Sequence, residues 1–299
     1  MIATEKLTKR FDDTVAVDSV DTVMKDGSVF GLIGSNGAGK STFLRMLAGV
    51  LKPDSGTVRI DGEDIWENAA LKERCFLVPD ELSFFRNATP QSMANYYKLY
   101  YSKFDQARFE KLTSAFGLYT GKRISTFSKG MKRQTALILA VCSGADYIFC
   151  DEAFDGLDPV ARQSIKSIFV NDMQERSMTP IIASHNLREL EDICDHVGLL
   201  HKGGILFSRD LDDMKLGIHK VHAAFNRQYN KEDFQTLEIL RFEQRGSLIT
   251  MTARGEAEDI MRAIQEKLPI FAEMLPLSLE EIFICETEVK GYDIKKLIF

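Results

Sequence analysis

The sequence contains no long apolar run. Its longest aliphatic stretch, residues 137–142, is far shorter than the roughly 20 residues that a membrane-spanning helix requires. The first residues of the chain also lack the apolar segment of a secretory signal. We therefore expect a chain that neither crosses a membrane nor enters a secretory route by itself.

Paired cysteines and an excess of positive charge are also missing. The five cysteines are scattered without a C-x-x-C pair, which favours buried, reduced thiols in the cytosol over a disulfide framework or a zinc site. The 38 Lys and Arg against 44 Asp and Glu leave a net charge of −6, so nothing in the charge balance favours a nucleic acid partner. With 44% hydrophobic and 27% charged residues, the composition is that of a globular protein and excludes disordered and collagen-like chains.

The order of elements predicts two domains within the 299 residues. Residues 1–215 alternate strand-like runs with helices, which indicates an α/β domain with a mainly parallel sheet. A turn-bounded strand pair around residues 57–60 adds an antiparallel piece, and residues 88–140 are expected to form a helical subdomain. Residues 216–299 combine alternating strands with two helices, the second starting at the capping box Ser278 to Glu281, and so form a small α+β domain.

A glycine-bearing loop follows the predicted buried strand at residues 29–33 and precedes a predicted helix. The spacing Gly34-x4-Gly39-Lys40-Ser41 matches the phosphate-binding loop, whose small residues let backbone N–H groups surround phosphate oxygens. Lys40 would then reach the β and γ phosphates of a nucleotide, and Ser41 would bind magnesium. The alternative is an ordinary glycine-rich turn with an exposed lysine. The loop residues expected to bind the nucleotide are Gly34, Ser35, Asn36, Gly37, Ala38, Gly39, Lys40, Ser41 and Thr42.

Two carboxylates, Asp151 and Glu152, end a predicted apolar strand at residues 147–150. The carboxyl ends of parallel strands share one edge of a sheet, so both side chains are expected near the phosphate loop. Asp151 would hold the magnesium ion, and Glu152 would orient or deprotonate the attacking water. Read without the phosphate loop, the two residues could equally cap the following turn.

Three further motifs occur in a fixed order. They are Ser128-Lys129-Gly130-Met131, the segment from Asp155 to Asp158, and Ser184-His185. Across residues 1–214 the chain resembles the ATPase subunits of ABC transporters, with these segments as signature loop, D-loop and switch histidine. The resemblance implies the P-loop NTPase fold of ABC ATPases, which has a mixed, mainly parallel sheet, an antiparallel β subdomain and a helical subdomain. It implies ATP and Mg²⁺ as ligands.

The resemblance also assigns residues outside the phosphate loop, and four of them depart from the family pattern. Phe11 occupies the position of the aromatic that stacks on adenine, where tyrosine is commoner. Asp80 stands where the family usually has a glutamine that binds magnesium and contacts the membrane subunit. Its carboxylate would serve as an oxygen ligand of magnesium, but it adds a negative charge beside ATP. In the signature, Lys129 and Met131 replace glycine and glutamine, and the extra cation could favour the γ-phosphate of the opposing subunit.

The assembly implied by the resemblance is a sandwich of two ATPase subunits. The phosphate loop of one subunit and the signature of the other close over the same ATP, and Lys40, magnesium, Glu152 and His185 support its hydrolysis. A homodimer is the simplest form, and a heterodimer is the alternative. The small extension that follows Leu211 to Lys215 and ends in Pro276 to Phe283 resembles the C-terminal additions of exporter ATPases. Separate membrane subunits would therefore conduct export and hold the chain on the cytoplasmic face of the membrane. Their docking site would involve Asp80 and the aromatic residues between Phe84 and Phe104. The alternative is that the tyrosines in this stretch lie at the edge of the core and do not form a docking site.

Two other functions remain possible from the residues. A soluble ABC-type ATPase acting on ribosomes or nucleic acid would use the same site, but the chain has one phosphate loop, no long coiled coil and an acidic balance. A regulatory module that senses ATP without transport is disfavoured because Glu152 and His185 are both present.

Overall fold

The computed structural model describes residues 1–289, except for the side chains of residues 215, 216 and 286–289. The chain divides into two compact units that meet between Ser208 and Arg209. Within residues 1–289, no helix combines the length and apolar character needed to cross a bilayer.

The first unit contains a four-stranded antiparallel sheet built on a long hairpin. A two-residue turn, Asp12 and Asp13, joins its first two strands, and the next two strands extend the sheet on the other side in the order β2-β1-β4-β5. This sheet contains the predicted antiparallel piece, although the sequence indicated only the strand pair around residues 57–60. Its strands are β1 (Ile2–Phe11), β2 (Thr14–Met24), β4 (Ser55–Ile60) and β5 (Glu63–Asp64).

A six-stranded sheet forms the centre of the first unit, in the order β10-β9-β3-β8-β7-β6. The pairs β3-β8, β3-β9, β6-β7 and β7-β8 are parallel. Three strands are buried along their whole length, which is why they are continuous apolar runs in the sequence. This confirms the predicted α/β arrangement. The strands are β3 (Phe30–Ile33), β6 (Cys75–Val78), β7 (Tyr147–Asp151), β8 (Thr179–Ser184), β9 (His196–His201) and β10 (Gly204–Asp210).

Except for α1, which begins after Gly39, the helices of the first unit begin where the sequence supplies capping side chains. Thr89 and Ser92 form a capping box at α3, and the carboxylate of Asp158 accepts a hydrogen bond at the start of α6. Three helices lie in the stretch expected to be helical, and one 3-10 turn at Ile124–Thr126 precedes α5. The helices are α1 (Lys40–Leu47), α2 (Ala69–Glu73), α3 (Pro90–Tyr97), α4 (Gln106–Ala115), α5 (Lys129–Cys142), α6 (Pro159–Arg176) and α7 (Leu187–Glu191).

The second unit is a four-stranded antiparallel sheet, in the order β12-β13-β11-β14, with helices. Its apolar core includes Val221, Met251 and Ile264. Ser278 and Glu281 make the predicted capping box at α10. Strand β14 was not anticipated from the sequence. The elements are α8 (Leu211–Leu216), β11 (Ile218–Ala224), β12 (Glu238–Arg245), β13 (Leu248–Arg254), α9 (Ala257–Gln265), β14 (Phe271–Leu275) and α10 (Leu279–Val289).

Candidate active site

The loop between β3 and α1 is packed too closely for side chains at two of its glycines. A Cβ atom on Gly34 would lie 2.5 Å from the carbonyl oxygen of Leu200. Gly39 has a φ of +104°, and a Cβ atom there would lie 2.1 Å from the carbonyl oxygen of Ala16. The two outer glycines of the motif are therefore required by the backbone of the loop and by its close neighbours.

Lys40 is the first residue of α1, and its side chain is directed back over the loop. Its Nζ donates hydrogen bonds to the carbonyl oxygens of Gly34, at 2.6 Å, and Ser35, at 3.2 Å. It also lies 3.4 Å from Oε1 of Glu152. The ammonium group is thus held at the mouth of the loop, beside the carboxylate that follows β7.

A cavity of about 460 Å³ opens on this loop. Besides loop residues 35–42, its lining includes Asp80 and Glu152, both anticipated from the sequence. It also includes residues 14–16 at the start of β2, and Lys202 in the turn between β9 and β10, which sequence reasoning missed. Lys202-Gly203 carries a turn signal, but a lysine in a turn does not by itself indicate a ligand site.

Asp151, the last residue of β7, is buried and keeps one oxygen, Oδ1, without a hydrogen-bond partner. Burial raises the pKa of its carboxyl group, and a hydrogen bond with Ser41 opposes that rise. A hydroxyl and a carboxylate with a free lone pair are ligands that suit Mg²⁺, which in nucleotide sites takes few protein oxygens. In the described part of the chain, no cluster of three or more His, Cys, Asp or Glu forms a metal cage.

Glu152 links Lys40 to His185, the predicted switch histidine. Its Oε2 lies 2.9 Å from Nδ1 of His185, and its Oε1 faces Lys40. The backbone of Glu152 is left-handed, with a φ of 49°, and its N–H donates to the carbonyl oxygen of Ala183 on β8. The carboxylate is mostly buried, whereas the His185 side chain is 52% exposed. The structure therefore brings together the three residues predicted to be catalytic.

Asp80 follows β6 and borders the same cavity. Its Oδ1 accepts a hydrogen bond of 3.1 Å from Nη2 of Arg133 on α5, a contact that the sequence did not suggest. Its charge also contributes to the raised pKa of Asp151.

The predicted signature and D-loop segments contact each other within the chain. Ser128 caps α5, since its Oγ accepts a hydrogen bond from the N–H of Met131. Lys129 forms an ion pair of 2.7 Å with Asp155, and a Cβ atom on Gly130 would lie 2.9 Å from the carbonyl oxygen of Gly156. Ser128 is exposed, and the residues lining the cavity around Lys40 do not include it.

Two of the predicted site residues, Phe11 and Asp158, are not among the residues that line the cavity around Lys40. Phe11 ends β1 with its side chain 48% exposed, and Nζ of Lys9 lies 5.6 Å from the centre of its ring. Phe11 pairs with Thr14, so it belongs to the same hairpin as the cavity residues of β2. Asp158 accepts a hydrogen bond of 2.9 Å from the N–H of Ala161 and thereby caps α6.

Comparisons with a protein family, with individual proteins and with solved structures all match this chain to ABC transporter proteins. The sequence pattern of the family described as "ABC transporter" matches residues 17–155. The ABC transporter ATP-binding protein YtrB of Bacillus subtilis (strain 168) is 29% identical over 286 residues, covering 96% of this chain and 98% of YtrB. The bacitracin transport ATP-binding protein BcrA of Bacillus licheniformis is 31% identical, covering 72% and 71%. A solved ATP-binding subunit of an ABC transporter superposes with a TM-score of 0.66 at 24% identity, covering 72% and 92%.

Proposed function

The chain belongs to the ABC transporter family as an ATP-binding protein and ATPase, and from this premise we propose that it powers export through separate membrane subunits. Residues 1–215 form the ATPase domain, and residues 216–299 an accessory domain. Two copies close on ATP and separate after its hydrolysis. The observation that carries this proposal is the contact of one carboxylate, Glu152, with both Lys40 and His185 beside the glycine loop.

Each of the three residues has a distinct role in hydrolysis. Lys40 supplies positive charge to the β and γ phosphates from a position already fixed by its two loop carbonyls. Glu152 orients or deprotonates the attacking water. Its carboxylate is suited to this role, since it lines the cavity and is mostly buried. His185 holds Oε2 of Glu152 and so fixes the carboxylate.

Magnesium would be held by Ser41 and Asp151, with the carboxylate of Asp80 as a further oxygen ligand. This assignment is supported by the unpartnered Oδ1 of Asp151 and the adjacent Ser41 hydroxyl. When bound, the ion would offset negative charge on the phosphate oxygens. Phe11 would stack on adenine from the hairpin that borders the cavity. The backbone N–H groups and side chains of residues 34–42 would surround the phosphates.

The signature is proposed to act on the ATP of a second copy. Ser128 is exposed at the N-terminus of α5, a 14-residue helix whose first N–H groups favour an anion. Ser128, Lys129, Gly130 and Met131 would face the γ-phosphate bound by the partner, with Asp158 and the rest of the D-loop beside them. Because one chain carries both halves of the site, a homodimer is the simplest assembly.

The relatives support coupling to transport. YtrB matches over nearly the whole chain, including the second unit, and BcrA is by its name a bacitracin transport protein. Export, rather than import, rests on the resemblance of the C-terminal extension to those of exporter ATPases. The chain would lie on the cytoplasmic face of the cell membrane, bound to its membrane subunits.

The docking surface for those subunits is proposed on the helical part, beside Asp80. The rings of Phe85, Tyr96 and Tyr100 contact one another in a row, with centroids 5.1 Å apart, and all three are exposed. Tyr97 and Tyr101 instead pack on Phe76. Exposed contiguous aromatics favour a protein contact.

The Glu152→Gln variant tests the catalytic assignment. Glutamine keeps the size of the side chain but cannot take a proton, so we expect ATP binding to persist while turnover falls on the order of 100-fold. Phosphate release and calorimetric ATP binding measure the two effects. Glu110→Gln, which removes an exposed carboxylate on α4, is the matched control. Undiminished turnover in Glu152→Gln would remove Glu152 from this role.

A further inference from the structure

The cavity that would receive a triphosphate is bordered by an acidic side chain, Asp80. ATP carries several negative charges, and a carboxylate nearby repels it. Asp80 lines the same cavity as Lys40 and Ser41, so its charge lies beside the proposed position of the phosphates. An aspartate at this place therefore needs a counter-charge if the cavity is to bind ATP well.

Arg133 supplies a permanent positive charge at this place. Its side chain is 1% exposed, its Nη2 donates to Oδ1 of Asp80 at 3.1 Å, and its Nη1 donates to the carbonyl oxygen of Pro79 at 2.8 Å. The guanidinium group thus bonds to two successive residues, which fixes its position relative to Asp80. Its Nε has no hydrogen-bond partner, so these contacts are its anchors. A guanidinium does not lose its proton in a protein.

The other cations near Asp80 are placed differently. Lys40 and Lys202 line the same cavity as Asp80, but Nζ of Lys40 is held by two loop carbonyls and faces Glu152. Lys129 forms an ion pair with Asp155 in the D-loop, and its side chain is 67% exposed. Lys132 and Asp80 both line a neighbouring cavity, but the ion pair of Asp80 is with Arg133 and not with Lys132. A buried, doubly anchored guanidinium loses less of its electrostatic effect to water and salt than an exposed ammonium does.

We propose that Arg133 is a positioning residue that neutralises Asp80 and thereby permits an acidic side chain beside the triphosphate. The inference rests on the proposed binding of ATP. Because Arg133 belongs to α5, which begins at Ser128, the ion pair also joins the edge of the nucleotide cavity to the signature helix. Removal of the Arg133 charge leaves the Asp80 carboxylate unneutralised beside ATP. Removal of both charges leaves this edge of the nucleotide cavity neutral.

A charge cycle tests the proposal with ATP and ADP as probes, in EDTA so that metal ligation by Asp80 does not contribute. The variants are Arg133→Gln, Arg133→Lys, Asp80→Asn and the double variant Asp80→Asn/Arg133→Gln, with Lys132→Gln as the matched control. Calorimetry measures affinity, and thermal unfolding measures folding. We expect Arg133→Gln to weaken ATP binding about tenfold, and ADP binding less, because the repulsion grows with phosphate charge.

The remaining variants distinguish charge from packing. The double variant and Arg133→Lys should bind ATP within about threefold of the parent, Asp80→Asn should bind at least as tightly as the parent, and Lys132→Gln should change little. The defect of Arg133→Gln should shrink as salt rises. If Arg133→Gln fails to fold, the affinities of Asp80→Asn and Arg133→Lys decide the question.

Three results would overturn the proposal: weaker ATP binding in Asp80→Asn, equal losses in Arg133→Lys and Arg133→Gln, or an Arg133→Gln defect that Asp80→Asn does not relieve. Failure of the parent protein to bind ATP when Mg²⁺ is present would instead contradict the proposed function itself.

Discussion

At the scale of single residues, Glu152 is the centre of the site. It adopts a left-handed backbone, which is uncommon for a residue with a side chain and is found where the surroundings enforce it. Its N–H bonds to β8 while its carboxylate faces Lys40 and His185. The backbone conformation therefore turns the carboxylate toward the loop and away from the sheet interior.

The Lys40→Ala variant should lose ATP binding, since the residue supplies the buried positive charge of the loop. A hydrogen bond to a charged group contributes about 1.5 to 3 kcal/mol, so we expect affinity to fall about 10- to 100-fold. Alanine is a good helix former, and α1 should remain intact. Calorimetric titration with ATP measures the change. Lys111→Ala, which removes an exposed lysine on α4, should bind ATP normally, and ordinary affinity in Lys40→Ala would contradict the placement of the phosphates.

The phosphate loop and the Asp151-Glu152 pair were predictable from local pattern, and Asp80 and His185 from the family resemblance. Lys202 and the β2 residues were not predictable. Gly34 to Ser41 and the Asp151-Glu152 pair follow buried strands, so their position at one sheet edge follows from local pattern. Lys202 and the β2 residues come to the cavity through long-range backbone bonds. The N–H of Asp18 donates to Gly203, and that of Gly203 donates to Ala38. The Asp80–Arg133 pair is likewise non-local, 53 residues apart.

At the scale of elements, Asp158 has a structural task that is separable from its proposed D-loop role. Its carboxylate caps α6, so Asp158→Ala should destabilise the protein by about 1 kcal/mol. Asp158→Asn keeps an accepting oxygen and should retain nearly full stability. The midpoint of urea unfolding measures both variants. Equal midpoints for Asp158→Ala and the parent would show that the cap contributes nothing to stability.

The exposed aromatic row gives a second prediction at this scale. Tyr100→Ala removes an exposed ring that contacts Tyr96, so we expect about a tenfold weaker association with membranes that carry the partner subunits, with ATP binding unchanged. Sedimentation of the chain with membranes of its source cells measures the association. Tyr119→Ala, also exposed but outside the row, is the control. Equal sedimentation of Tyr100→Ala and the parent would place docking elsewhere.

The elements that escaped prediction have identifiable reasons. Strand β1 contains register shifts after Thr4 and Leu7, which break the alternation that marks a half-buried strand. Strand β14 is a short edge strand with an exposed phenylalanine and an intermediate pattern of burial, so its sequence carries little periodicity. By contrast, β3, β7 and β8 are buried throughout and were evident as apolar runs.

At the scale of the whole molecule, one chain carries both a phosphate loop and an exposed signature that lies outside the cavity of that loop. This separation is what an assembly requires if each nucleotide is to be enclosed by two chains. In the proposed assembly, association would depend on ATP, because the triphosphate would bridge surfaces that otherwise contribute few bonds. Hydrolysis would then remove the bridging γ-phosphate and release the pair.

The most direct test is the mass of Glu152→Gln in solution, measured by light scattering with ATP and Mg²⁺. The account predicts an increase from 33.8 kDa to twice that mass. The increase should be absent with ADP, and also when Lys40→Ala or Ser128→Glu is added, because each removes one half of the shared site. A mass that stays at 33.8 kDa while ATP saturates the protein would contradict the proposed closure of two copies on ATP.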